Sequence, residues 1–150
     1  MSMHQERIIP CDARFVVSAL RGQAVLQYLT SHVDAYEIRM RRHGGLTFID
    51  CGENLERVAC PVCRAQLDMA WWNNAMSEAE NEQGLFGDLF VVLPCCGANS
   101  SLDQLAYNFE CGFAQTEFAV TDAREDIGDD VLQEVGRLLG HPVRVIHARY

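Results

Sequence analysis

The sequence predicts an α+β fold with a mainly antiparallel sheet, packed helices and a zinc-ribbon-like four-cysteine site. Three observations carry this. Helical and strand periodicities are mixed along the 150 residues without the regular βαβ alternation of a parallel sheet. Several β-forming runs are short and bounded by glycine or proline. Two cysteine pairs, Cys60/Cys63 and Cys95/Cys96, fall at the ends of two such runs.

In chain order, "ERIIP" is a short apolar run closed by Pro10. Asp12 suits the N-cap of a helix over residues 13–33, which Gly22 is expected to interrupt. "YEIRMRR", "HGG" and "LTFIDC" together predict a β-hairpin with its turn at the glycines. "LERVAC" is a strand running into the first cysteine pair. The stretch 65–84 is a helix. In it Met69, Trp72, Met76 and Ala79 recur at steps of three and four, and Gly84 is its stop. "DLFVVLP" delivers Cys95 and Cys96 from a strand, and "SSLDQL" starts a short helical turn capped by Ser100 or Ser101. "GFAQTEFAV" is a strand. "DDVLQEVGRLLG" is an amphipathic helix with its acids in the first turn, where the helix dipole favours them, and "HPVRVIHARY" closes as a strand. No linker or repeat divides the chain, so a single domain over 1–150 is expected.

The start, "MSMHQERIIPCD", carries no signal-peptide run, and no apolar stretch is long enough to span a bilayer. A cytoplasmic location follows as an expectation. In that compartment clustered thiols more often hold metal than form disulfides, and an odd count of seven cysteines agrees.

Zinc takes four soft ligands in a tetrahedron. "CPVC" presents two thiolates from one short turn, while Pro94 and Gly97 stiffen and tighten the second pair. Adjacent cysteines point apart in an extended strand, and Leu93 stands where a second C-x-x-C would have its first cysteine. The backbone must therefore turn between Cys95 and Cys96. Cys60, Cys63, Cys95 and Cys96 are the expected Zn2+ ligands. A three-cysteine site completed by His43, His141 or Cys111 is the alternative, as are free buried or redox-active thiols at Cys95/Cys96. Cys11, Cys51 and Cys111 are expected to be small core residues.

"ERVACPVC", "AWWNNAM", "LPCCG", "SLDQLAYNFECGFA" and "LLGHPVRVIHARY" resemble a group of small bacterial zinc-ribbon-like proteins of uncharacterised role, over residues from about 55 to the end. Some of these carry a sugar-transporter ATPase label. A P-loop needs a lysine on the phosphates, and this chain has none. The resemblance implies the metal site and no activity.

All 12 basic residues are arginine, and the net charge is −9. Residues 65–134 hold 14 Asp or Glu against Arg124 alone. Such a segment repels phosphate backbones and makes nucleic acid a poor partner. Its acids concentrate at Glu78, Glu80 and Glu82 and at Asp122, Glu125, Asp126, Asp129 and Asp130. A solvated face is the plain reading. The sharper one is a non-enzymatic, immunity-type binding protein that docks a basic protein partner there, with Trp71 as an anchor if exposed. The competing class is a thiol or zinc-dependent enzyme using Cys95/Cys96. Against it, residues 88–110 contain no Arg or His to lower a thiol pKa.

Overall fold

The computed structural model describes residues 2–150. Its frame is an antiparallel sheet of β1 (His4–Pro10), β2 (Ala35–Ile49), β7 (Gly112–Ala123) and β8 (Val143–Arg149), in the order β2-β7-β1-β8. With three helices beside it, this is the α+β architecture expected. β1 sits between β7 and β8, which explains why "RIIP" is so apolar: Ile8 and Ile9 are both fully buried, one on each sheet face.

On one face Ile8, Phe118 and Val120 pack under α1 (Ala19–His32) and α3 (Asp129–Leu139), against Val25, Leu29, Val135 and Leu139. α3 follows the sequence reading. Asp129 and Asp130 lie in its first turn, and left-handed Gly140 ends it, returning its N–H to the Gly136 carbonyl. α1 does not. It begins at Ala19, with the Ser18 hydroxyl capping Arg21 N–H. Asp12 instead closes a local turn, its carboxylate accepting from Arg14 N–H and its carbonyl from Phe15 N–H. Gly22 does not interrupt the helix. It is buried, and a Cβ there would lie 2.7 Å from the Met40 sulfur, so it lets the helix approach β2.

The predicted hairpin is one long strand. Both halves of β2 pair with β7, and the register steps from Arg42↔Thr116 to Thr47↔Ala114. His43–Leu46 therefore form a bulge rather than a turn. The glycines carry the same local signal in both cases, but β7 is long enough to pair with both halves. The bulge turns the Leu46 carbonyl outward to accept from Phe86 N–H at 2.7 Å.

Residues 50–111 leave the sheet between β2 and β7 and build a second layer: β3 (Val58–Ala59), α2 (Met69–Ala79), β4 (Phe90–Val92), β5 (Asn99–Ser101), a 3-10 turn at Leu102–Gln104 and β6 (Ala106–Tyr107). β3 pairs with β6, and β4 with β5. The 3-10 turn follows Ser101 as expected, but the Ser101 side chain does not cap it and bonds the Asp103 carboxylate instead. α2 starts from an Asp68 cap and ends at Ala79, five residues before Gly84. The chain there turns back because Glu80 bridges to Phe86, and Gly84 sits in the resulting loop.

Trp72 and Met76 bury the stripe of α2. Trp72 meets Phe48 edge-on at 5.8 Å, and Phe48 reaches Phe113 at 5.2 Å, so an aromatic chain ties the second layer to the sheet. The indole N–H donates to Tyr107 Oη at 3.2 Å, and that hydroxyl donates to the Leu102 carbonyl at 2.6 Å.

Candidate metal centre

The loop after β3 and the tip of the β4–β5 hairpin meet at the four cysteines. The sulfurs of Cys60, Cys63, Cys95 and Cys96 all lie within 4.8 Å of one another. Cys60 Sγ is 3.8 Å from Cys96 Sγ, and Cys63 Sγ is 3.4 Å from Cys95 Sγ. A tetrahedron with metal–sulfur bonds of about 2.3 Å has edges of about 3.8 Å, so the cluster has the size of a four-thiolate site.

The two loops are the same turn. In "CPVCRA", Cys60 N–H donates to the Ala65 carbonyl at 2.8 Å, and Arg64 N–H donates to the Cys60 carbonyl at 3.0 Å. In "LPCCGA", Leu93 N–H donates to the Ala98 carbonyl at 2.9 Å, and Gly97 N–H to the Leu93 carbonyl at 2.8 Å. The fifth residue is left-handed in each, with φ of 67° at Arg64 and 73° at Gly97. Position by position, Leu93 replaces Cys60, Cys95 replaces Val62, and Cys96 matches Cys63. The turn brings the sulfurs of both neighbouring cysteines into one cluster, where an extended strand would splay them. The shared Pro, Cys and Ala of the two loops were the sequence signal for it.

Hydrogen bonding differs between the two turns. Val62 N–H and Cys63 N–H both donate to Cys60 Sγ at 3.3 Å. Cys60 is buried, whereas Cys63, Cys95 and Cys96 are exposed. Burial pushes the Cys60 thiol up, but the two N–H bonds and the adjacent sulfurs outweigh it and bring it down to about 6. Desolvation of the Cys95 sulfur by the cluster, with its bonds to the surrounding sulfurs, pushes that thiol up to about 12. Four thiols this close cannot all ionise against one another, and a cation at their centre removes the conflict. The donor set fits a metal ion.

The alternative ligands are engaged elsewhere. His43 Nε2 lies 2.9 Å from a Glu117 carboxylate oxygen. The His141 ring stacks on Phe15 at 4.3 Å, with its Nε2 3.2 Å from the Asp12 amide nitrogen. Cys111 is buried in one cluster with Cys51. Cys51 and Cys111 are core residues as expected, but Cys11 is exposed: the chain at Cys11 has left β1 through Pro10 and turned outward.

The acidic residues form two separate groups. Glu78, Glu80 and Glu82 lie at and just beyond the end of α2, while Asp122, Glu125, Asp126, Asp129 and Asp130 run from the end of β7 into α3; all eight are exposed. The first group neighbours the Leu46–Phe86 bridge, close to Ala114 at the start of β7. The strand from Ala114 to Asp122 spans about 26 Å, so the two groups lie towards opposite ends of β7. Trp71 is half-buried at the edge of the α2 core. Asp34, Arg124, Glu125, Asp126 and Asp130 border an open groove of about 410 Å³.

A buried ionic network was not visible in the sequence. Arg7 on β1 grips Glu117 on β7 through two bonds of 2.7 Å. Its remaining nitrogen donates to the Asp50 carbonyl and carboxylate and meets Tyr150 Oη. Its one signal was a glutamate inside the apolar run of β7.

Among the described residues no helix is long and apolar enough to cross a membrane. No family model, curated protein or solved structure matches the chain.

Proposed function

We infer that the protein is a zinc-stapled binding protein whose metal holds the second layer together and whose acidic end docks a basic protein partner. Four thiolates close a tetrahedral sphere and leave no position for substrate, which suits a structural ion. Zinc and iron both accept four sulfurs. Zinc is the expected occupant, and elemental analysis of purified protein separates the two.

One observation supports the docking role. The chain has 12 arginines, yet among the described residues none forms an ion pair with any of the eight clustered acids. The arginines pair instead with Glu37, Asp50, Glu53, Glu110, Glu117, Glu134 and Asp34. The charge asymmetry is thus left facing outward. Of the two groups, the one from Asp122 to Asp130 is preferred, since it borders the open groove beside α3. The α3 dipole accounts for the tolerance of Asp129 and Asp130, but Glu125 and Asp126 precede the helix and gain less from it.

The test reverses Glu125 and Asp126 to lysine and, in a separate variant, Glu78 and Glu82. Both proteins should stay folded and keep their metal. Loss of a salt-sensitive partner from the native host in the first variant alone supports the reading. Retention of that partner by both variants contradicts it.

A further inference from the structure

We propose that Cys95, as a zinc-bound thiolate, is the peroxide-sensitive ligand and that Cys63 is its resolving partner, so that oxidation opens the metal centre. This rests on the four cysteines holding zinc, as inferred above. The argument comes from the two matched turns. In the first, the N–H groups of the third and fourth residues are spent on the sulfur of the first, Cys60. In the second, the first residue is Leu93, which has no sulfur to receive them. The cysteine has moved to the third position, and among the described residues neither Cys95 nor Cys96 accepts a backbone N–H bond at sulfur.

N–H bonds draw electron density from a metal-bound thiolate and shield it, as partners around a metal's ligands tune them generally. Cys60 is buried and doubly bonded. Cys95 is exposed and holds the position of Val62, a residue 61% exposed at the outer tip of the first turn. Oxidants select exposed thiolates. Cys95 Sγ lies in direct contact with Cys63 Sγ on the other loop, at 3.4 Å.

The chemistry balances with hydrogen peroxide as oxidant. The Cys95 thiolate attacks one peroxide oxygen; an S–O bond forms, the O–O bond breaks, and hydroxide leaves. The Cys63 thiolate then attacks the sulfenic sulfur of Cys95, forming an S–S bond and expelling a second hydroxide. Two thiolates have given two electrons to one peroxide, and the ion keeps only Cys60 and Cys96. The disulfide joins the β3 loop to the β4–β5 tip, so the two loops stay tethered after the ion leaves, and a dithiol reductant restores the site.

The experiment starts from wild-type protein whose zinc has been measured, so a failure of the zinc reading shows before any oxidant is added. Peroxide titration then follows zinc release with a colorimetric chelator and maps disulfides by peptide mass. The expected result is zinc release together with a Cys63–Cys95 disulfide, with Cys60 unmodified. A companion variant, Leu93→Cys with Cys95→Val, rewrites the second turn in the order of the first. It should keep one zinc and release it roughly 10-fold more slowly, the scale on which such surrounding partners act. Zinc that survives peroxide in the wild type overturns the proposal. So does first oxidation at Cys60 or Cys96, or release from a zinc-loaded swap variant at the wild-type rate.

Discussion

Arg7 and Glu117 meet diagonally across the β1–β7 pair through two parallel bonds of 2.7 Å, and Glu117 is wholly buried. His43, carried inward by the β2 bulge, adds a third contact to the same carboxylate. The pair ties the central strands to the chain's last residue, because Arg7 also meets Tyr150. Removing one partner leaves a buried charge. Glu117→Ala is expected to cost about 3–5 kcal/mol in chemical denaturation, far more than a surface pair.

The same carboxylate sets an acid limb. Burial opposes ionisation of Glu117, but the Arg7 bond and charge, then His43, outweigh it and hold the group below the ordinary carboxylate range. The unfolded chain therefore takes up this proton first as pH falls. The stabilisation is complete above the ordinary glutamate value, about 4.3, and drains as pH drops below it towards the folded value. Denaturation midpoints should fall as pH drops below about 4.3, with a slope that Glu117→Gln flattens, and Glu117 should contribute no slope well above that value.

Trp72 and Tyr107 give an independent check on the second layer. Tyr107→Phe strips the indole N–H of its acceptor and the Leu102 carbonyl of its donor. A loss of about 1–3 kcal/mol is expected, read by urea denaturation, with the metal content unchanged. Metal loss in this variant would mean that the hydroxyl, rather than the ion, sets the loop geometry.

Much of this layout is legible in the sequence because it is local. The α2 stripe, the α3 caps and the first cysteine turn each depend on neighbours within a few residues. The misread parts depend on distant partners. The β2 bulge exists because β7 spans both halves of it, and α1 starts at Ala19, capped by Ser18, because Asp12 serves a turn beside His141. The second cysteine turn was half legible. Leu93 stands in for a cysteine in the sequence, and the shared Pro, Cys and Ala align Cys95 with Val62, but that both loops close the same turn shows only in the backbone bonds.

The three remaining cysteines should be spectators. Cys11→Ala, Cys51→Ala and Cys111→Ala are each expected to keep one metal ion per chain. Burial raises the Cys51 and Cys111 thiols, so neither should react with a polar thiol reagent in the native state, while exposed Cys11 should. Metal loss from the Cys111 variant would point to a different ligand set.

Ligand variants should fail more severely. Structural zinc contributes an apparent ~10–16 kcal/mol in small peptides, against a net stability of ~5–15 kcal/mol for a whole domain. Cys60→Ser and Cys96→Ser are therefore expected to give insoluble or partly unfolded protein, seen as lost near-ultraviolet dichroism from the Trp72 layer. Native spectra in both variants would show that the ion does not hold this layer.

The central claim is that Cys60, Cys63, Cys95 and Cys96 hold one zinc ion, and X-ray absorption at the zinc edge tests it most directly. On protein purified without added metal, the account predicts one zinc per chain with four sulfur neighbours at about 2.3 Å and no lighter atom in the shell. A metal-free preparation, or a shell with nitrogen or oxygen in place of one sulfur, would contradict it.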